Sequence, residues 1–297
     1  MSLASPPEQI SLGDLHLRSI ILFGAGGQLG SSIARVCSVA HPHNLITVPW
    51  AQAGKWRRDD VAAWFSRENR AAADVIIANG LTDPSRPKNE LDHSNTEFPL
   101  RVIEAGASFP GLRFMTIGTV MEERASLSTA NAYVASKLAL CHRVEELAQQ
   151  GLAGRLLHLR LHTLYGVGRP HPHMFLGQML TALKSESAFS MSSGRQYRQY
   201  HHAEDIAMAI SALTGRDWFG QAVLQMNSAE TLQLRRIAEA VFRHFGKSSL
   251  LQIGAVPEQT GEVIEDPGYA PTEAALFPRS RPAIPGIINW LSECLGR

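Results

Sequence analysis

The run Ser19-Ile20-Ile21-Leu22-Phe23-Gly24-Ala25-Gly26-Gly27-Gln28-Leu29-Gly30 decides how the rest of the chain is read. A short apolar stretch turns on glycines into Leu29–Ala40, where apolar residues recur at helical spacing. Gly24, Gly27 and Gly30 stand three apart. A backbone turning this tightly needs a residue without Cβ. A second such residue lets a pyrophosphate approach, and a third lets helix and strand pack closely. The helix N-terminus adds free N–H groups and the positive end of the dipole. The pattern therefore expects a dinucleotide at Gly24, Gly27, Gln28, Leu29 and Gly30. An ordinary glycine-rich turn is the competing reading, and the strand–turn–helix context favours the nucleotide.

Outward from this turn the same alternation continues. Ile20–Phe23, Leu45–Val48, Val75–Ala78, Phe114–Ile117 and Leu156–Leu161 read as buried strands. Between them, Leu29–Ala40, Val61–Phe65, Thr96–Ala107 and Ala132–Gln149 carry helical spacing. Strand–helix alternation with strands this apolar predicts an α/β chain, a Rossmann-type doubly wound parallel sheet. After Gly166 the regular order fades. Gly166–Pro172 is rich in Gly, Pro and His, and Ser185–Gln199 is polar and aromatic. Leu232–Phe245 forms one amphipathic helix, Pro257–Pro285 holds six prolines, and Ile287–Leu295 closes with a short helix. The expected organisation is a tail over 1–17, a dinucleotide-binding domain over 18–165, and a smaller C-terminal substrate lobe over 166–297. Some segments of that lobe return to the core.

Composition narrows the class. The 297 residues carry a formal net charge of +1, which gives no broad basic field for nucleic acid or membrane. Cys37, Cys141 and Cys294 are few, odd in number and far apart, against a disulfide framework or a zinc site. The first residues, with Glu8, Asp14 and Pro6-Pro7, do not read as a signal peptide, and no apolar run approaches a membrane span. A cytoplasmic enzyme without a metal is expected.

The cofactor's identity turns on the second strand. NAD sites place an acidic residue about 20 residues beyond the glycines to grip the ribose 2′-hydroxyl. Here the strand ends Thr47-Val48-Pro49-Trp50-Ala51-Gln52, with no carboxylate before Asp59. Lys55, Arg57 and Arg58 follow, and Arg35 lies in the first helix. NADP(H) is therefore favoured, with NAD the alternative. Asn79 and Gly80 follow the third strand, where loops line the cofactor. Gly80 there reads either as room for the ribose to pass closely or as a plain turn. Asn95 opens the next helix, and an N-cap role explains it.

Tyr133 and Lys137 stand four apart in a helical stretch and share a face. A phenol is a poor acid or base at neutral pH, and a nearby ammonium lowers its pKa. That lysine also has the reach to hold the nicotinamide ribose. Thr119 follows the fourth strand at its carboxyl end, where ligands sit in such sheets. Thr119, Tyr133 and Lys137 are the expected catalytic set.

These residues carry a resemblance. The chain resembles the extended short-chain dehydrogenase/reductase family, in its branch of nucleotide-sugar epimerases, dehydratases and reductases. The family's GxxGxxG matches Gly24, Gly27 and Gly30, its YxxxK matches Tyr133 and Lys137, and its strand-end Ser/Thr matches Thr119. Leu159-Arg160-Leu161-His162-Thr163-Leu164-Tyr165-Gly166 is similar to its LRxxNxYG, with Thr163 where Asn is usual. Arg198-Gln199-Tyr200-His201-His202-Ala203-Glu204-Asp205 resembles RDFIHVDD, and Gln225–Glu230 resembles the NIGxGE turn. The resemblance runs from about residue 18 to 295 and implies that Arg198 approaches the substrate's phosphates, with Thr163 and Tyr200 beside it. It also implies a homodimer paired through two helices.

The departures bear on the reaction. Family dehydratases follow the strand-end Thr with Asp-Glu, and Val120 and Met121 fill those places here. Glu122 and Glu123 come one and two positions later, where only a shifted loop brings them in. The resemblance then implies NADPH-dependent reduction of a nucleotide-linked 4-keto-6-deoxyhexose. The alternatives are an NAD(P)-dependent nucleotide-sugar epimerase, a reductase of small carbonyls, and a dinucleotide-sensing regulator without catalysis.

Other clusters have plainer readings. The pairs His41/His43 and His171/His173 lack a carboxylate or Cys at ligand spacing and read as loop histidines. His202 suits helix-start packing. Arg195, Tyr197, Arg198 and Tyr200 read either as a nucleic-acid patch or as a diphosphate clamp with base stacking. The clamp is favoured.

Overall fold

The computed structural model describes residues 18–67, 72–127, 130–218, 221–258 and 264–296, so the expected tail over 1–17 lies outside the described residues. Strands β1 (Ser19–Phe23), β2 (Leu45–Val48), β3 (Ala73–Ile77), β4 (Leu112–Thr119) and β5 (Leu156–Leu161) come first. Short strands follow: β6 (Thr163–Tyr165), β7 (Phe189–Met191), β8 (Tyr197–Arg198), β9 (Tyr200–His202), β10 (Val223–Gln225), β11 (Leu232–Gln233) and β12 (Leu251–Ile253). The helices are α1 (Gln28–Ala40), α2 (Trp50–Ala53), α3 (Arg58–Arg67), α4 (Lys88–Asp92), α5 (Phe98–Gly106), α6 (Ala132–Leu147), α7 (Phe175–Ser185), α8 (Ala203–Leu213), α9 (Leu234–His244) and α10 (Ala283–Leu295).

The central sheet runs β10-β5-β4-β3-β1-β2, and every pairing is parallel. The chain reverses direction across the sheet at β1, with β2 on one side and β3 on the other. Ligands bind at the carboxyl ends of strands beside such a reversal.

Side-chain alternation builds the two faces. Leu22, Ile76, Met115 and Leu159 pack under Ile33 and Cys37 of α1 and Ile206 and Ile210 of α8. Ile21, Val75 and Phe114 pack under Val61 and Phe65 of α3, Ile103 of α5 and Leu140 of α6. A third apolar cluster, around Tyr165, Met179, Phe189, Ile237, Phe242 and Trp290, joins α7, α9 and α10 away from the sheet. The chain crosses between these regions more than once. After the α7 region it returns to lay α8 on α1 and β10 beside β5.

Two local expectations shift, and one strand of the sheet was not expected. Leu232–Gln233 pairs antiparallel with β8, so the amphipathic helix starts at Leu234 rather than Leu232. The helix expected over Thr96–Ala107 begins inside a π-helical turn, His93–Glu97, that links α4 to α5. β10 has no sequence signal, because three residues carry too little periodicity.

One charge is buried in an otherwise apolar strand. Asp74 in β3 is 0% exposed, with Arg18 Nε at 2.9 Å, Arg113 Nη2 at 2.7 Å and the Gly215 N–H at 2.7 Å. It pins the amino ends of β1, β3 and β4 to the segment after α8. Asp74→Ala leaves two partly buried guanidiniums without a counter-charge, a loss of about 3 kcal/mol. Urea denaturation of the variant should show it as a lower midpoint at unchanged slope.

Candidate active site

The glycine turn sits between β1 and α1. Gly24 has φ +86°, and a Cβ there would stand 2.4 Å from the Asn79 nitrogen. A Cβ on Gly30 would lie 1.9 Å from the Gly24 carbonyl oxygen. The fold itself therefore demands these two glycines. Gly27 differs, because a Cβ there meets only the Gly24 oxygen at 3.5 Å. Gly27 is exposed and opens α1 with no side-chain cap and no acidic residue in the first turn. Leu29 turns its side chain into the core, which limits its role to its amide. Gln28 reaches across and donates to the Val167 carbonyl at 3.0 Å.

The loop after β3 closes the other side. Asn79 Nδ2 donates to the Ser94 carbonyl at 2.8 Å, while its buried Oδ1 has no partner among the described residues. The uncapped helix end, the open side of Gly27 and this orphaned oxygen fit a dinucleotide. Gly80 has a packing reason of its own to be glycine. A Cβ there would come within 2.9 Å of Asn95 Oδ1 and 3.1 Å of Lys137 Nζ.

Asn95 is not an N-cap. It lies fully buried in the π-helical turn, where Oδ1 accepts from the Leu81 N–H at 2.8 Å. Its Nδ2 donates to the Leu81 carbonyl at 2.9 Å and to Ser136 Oγ at 3.0 Å. Thr96 Oγ1 adds a bond to the Ser136 carbonyl at 2.6 Å. The π turn thus staples the loop after β3 to α6 beside Lys137. Such turns gather at functional positions, and sequence spacing alone does not reveal them.

Thr119, Tyr133 and Lys137 come together. Asn131 caps α6 by accepting from the Val134 N–H at 2.9 Å, which sets Tyr133 in the first turn. The Thr119 hydroxyl lies beside the Tyr133 phenol and favours its ionised form. Lys137 is buried and donates from Nζ to the Ile117 carbonyl at 2.8 Å. The charge balance departs from expectation. Burial chiefly, with help from the Glu122 charge and against the Thr119 hydroxyl, pushes the phenol up to about 12. Burial brings the Lys137 ammonium down to about 8, against the Glu122 charge. Desolvation outweighs the neighbouring charges, so the phenol keeps its proton at neutral pH.

The residues after Thr119 form a 3₁₀ helix, Val120–Arg124. It turns Glu122 inward, where it is 2% exposed, and sends Glu123 outward to accept from the Tyr269 hydroxyl at 2.9 Å. Met121, 52% exposed, takes the outer position and lines a cavity of about 1180 Å³. Gln28, Thr163, Lys184, Arg198 and Tyr200 share that wall, which has no carboxylate among the described residues. All three expected substrate residues thus face one cavity. Arg195 and Tyr197 of the basic–aromatic cluster are not part of its wall. His202 caps α8, with Nδ1 accepting from the Glu204 N–H at 3.2 Å.

Glu122, Cys141 and His158 place three ligand-type atoms within 4.8 Å of one another. Arg160 already supplies the cation, from Nε to Glu122 at 3.2 Å and from Nη2 to Cys141 Sγ at 3.4 Å. Burial, then the Glu122 charge, pushes the Cys141 thiol up to about 12, and a protonated thiol is a poor ligand.

The end of β2 bears no carboxylate, and α2 begins there with Trp50. Arg35 is committed to Glu204 Oε1 at 2.7 Å, and Arg58 donates to the Glu104 carbonyl at 3.3 Å. Lys55 and Arg57 are exposed.

The sequence profile of the NAD dependent epimerase/dehydratase family matches residues 20–218, about two thirds of the chain. No curated protein sequence matches. Among solved structures, the chain is similar to TunA, described as an NAD-dependent NDP-hexosamine 5,6-dehydratase of tunicamycin biosynthesis. The TM-score is 0.72 at 14% identity, over 94% of this chain and 98% of that one. It is similar to MoeE5 in complex with UDP-glucose and NAD, with TM-score 0.72 and 17% identity over 93% and 99% of the two chains. It is also similar to the UDP-glucose 4-epimerase of Thermus thermophilus in complex with NAD. There the TM-score is 0.66 and the identity 16%, over 92% and 98%. Among the described residues, no helix is long and apolar enough to cross a membrane.

Proposed function

The chain belongs to the NAD dependent epimerase/dehydratase family, and from that premise we propose an NADP(H)-dependent reductase of a nucleotide-linked keto-sugar of the 4-keto-6-deoxyhexose type. The observation that carries this reading is the convergence of Thr119, at the carboxyl end of β4, on the Tyr133 phenol, near a cavity wall that bears Met121 and no carboxylate. Elimination of water needs an acid and a base on that wall. A thioether supplies neither, which favours reduction over dehydration.

Bound at the glycine turn, the reduced nicotinamide would supply the hydride to the sugar carbonyl carbon. Tyr133 donates its proton to the carbonyl oxygen, and a phenol pushed up to about 12 is in the right state to donate. Thr119 hydrogen-bonds the same oxygen. Lys137, one turn along α6, places positive charge beside the developing alkoxide and holds the ribose. Arg198 on the cavity wall takes the diphosphate, with Thr163 and Tyr200 beside it.

The missing carboxylate after β2 and the exposed Lys55 and Arg57 favour the 2′-phosphate. A 2′-phosphate on one guanidinium strengthens binding at least roughly tenfold, so NADPH should titrate tighter than NADH by that factor. The deciding assay mixes enzyme, NADPH and dTDP-4-keto-6-deoxyglucose. One cofactor oxidised per sugar reduced is the expected result. Sugar inverted with no net cofactor consumption would make the chain an epimerase using the same three residues.

A further inference from the structure

A buried carboxylate lies directly behind the proton-moving set, and the reaction above does not use it. Glu122 Oε1 accepts from the Thr119 N–H at 2.7 Å. Its Oε2 accepts from Arg160 Nε at 3.2 Å and lies 3.0 Å from His158 Nε2. The other ring nitrogen of His158 is 2.8 Å from Thr116 Oγ1, which fixes the ring against β4. The niche exists because residue 118 has no side chain. A Cβ on Gly118 would stand 2.1 Å from His158 Nε2 and 2.4 Å from Glu122 Oε1.

We propose that Glu122, locked into the Gly118 niche by His158 and Arg160, is a positioning residue whose fixed negative charge sets the proton affinity of Tyr133 and Lys137. The proposal rests on the catalytic reading of those two residues. The groups facing Glu122 are Thr116 and Thr119 of β4, His158 and Arg160 of β5, and Tyr133, Lys137 and Cys141 of α6. Burial pushes the Glu122 carboxyl up. The His158 bond and charge, the Thr119 N–H and the Lys137 charge together outweigh burial and hold it below the usual carboxylate range. It therefore stays ionised through neutral pH. From behind, it raises the phenol's hold on its proton and keeps the ammonium charged. A cap for the 3₁₀ helix needs only an acceptor, which an amide provides equally well. The charge is what a cap does not require.

Glu122→Gln keeps the acceptor and removes the charge. The chain has five lysines, so carbon-13 NMR of labelled lysine follows Lys137 directly, its signal assigned by its loss in Lys137→Met. The Lys137 midpoint, at about 8 in the native chain, should fall in E122Q by about one pH unit. The pH profile of single-turnover hydride transfer should move in the same direction. His158→Gln keeps the carboxylate but weakens its hold. Glu122 then takes up a proton at higher pH, and a new step appears on the acidic limb of the rate profile. If E122Q does not fold, H158Q decides alone. An unmoved Lys137 midpoint in E122Q, or an H158Q profile that superimposes on the native one, would overturn the proposal and leave Glu122 as a cap only. Tyr133→Phe separates this from failure of the catalytic reading. Turnover retained there sinks both ideas, while turnover lost there with unmoved midpoints sinks the role of Glu122 alone.

Discussion

Tyr133→Phe loses about 10²–10⁴-fold in the chemical step while binding NADPH as the native chain does. The substitution removes one hydroxyl and keeps the ring in the first turn of α6. It takes away the phenol beside Thr119 and with it the proposed proton donor. The change leaves in place the glycine turn and Lys137, the proposed holders of the cofactor. Single-turnover mixing with a keto-sugar nucleotide reads the chemistry, and fluorescence titration reads the binding. A near-native single-turnover rate would refute the assignment. Parallel loss of NADPH affinity would instead mean that the phenol builds the pocket.

The second large effect is a contrast between two glycines three residues apart. Gly30→Ala drives a methyl to 1.9 Å from the Gly24 oxygen and 2.7 Å from its carbon, both backbone atoms that cannot swing aside. Overpacking of this kind costs about 3 kcal/mol or more. In a domain of this size that lowers the melting temperature by roughly 6–12 °C. Gly27→Ala meets only the Gly24 oxygen at ordinary contact distance, 3.5 Å, and its melting curve should overlay the native one. Its methyl nevertheless occupies the open mouth of α1 where a pyrophosphate would lie against the amides. NADPH affinity should drop there by roughly tenfold or more. The pair separates a glycine kept for the fold from one kept for the ligand. Native affinity in the Gly27 variant would remove the pyrophosphate from this turn.

How far the sequence could be read follows from where the physics is local. Five strands of the sheet and most helices were legible because apolar runs and helical spacing repeat within a few residues. Gly24 and Gly30 were legible because a strand–turn–helix junction leaves so few residue types that fit. Thr119, Tyr133 and Lys137 were legible by spacing and by a strand end. The inward turn of Glu122 was not. It depends on His158, 36 residues away on the next strand, and on the lack of a side chain at position 118. Asn95 misled for the same reason. Its position suggests a cap, but its partners Leu81 and Ser136 come from separate elements. The pKa of Tyr133 also went the other way. A neighbouring ammonium can be inferred from four-residue spacing, whereas desolvation depends on everything folded around the pair.

The return of the chain to the sheet has a practical outcome for engineering. Because β10 is laid against β5 and α8 against α1, severing the polypeptide after Tyr165 does not yield two self-sufficient fragments. The nucleotide-holding piece would keep a raw strand edge and a greasy helix flank, both prone to sticking. Transplanting a foreign substrate region onto this scaffold requires carrying the native α8 and β10 along as part of the recipient.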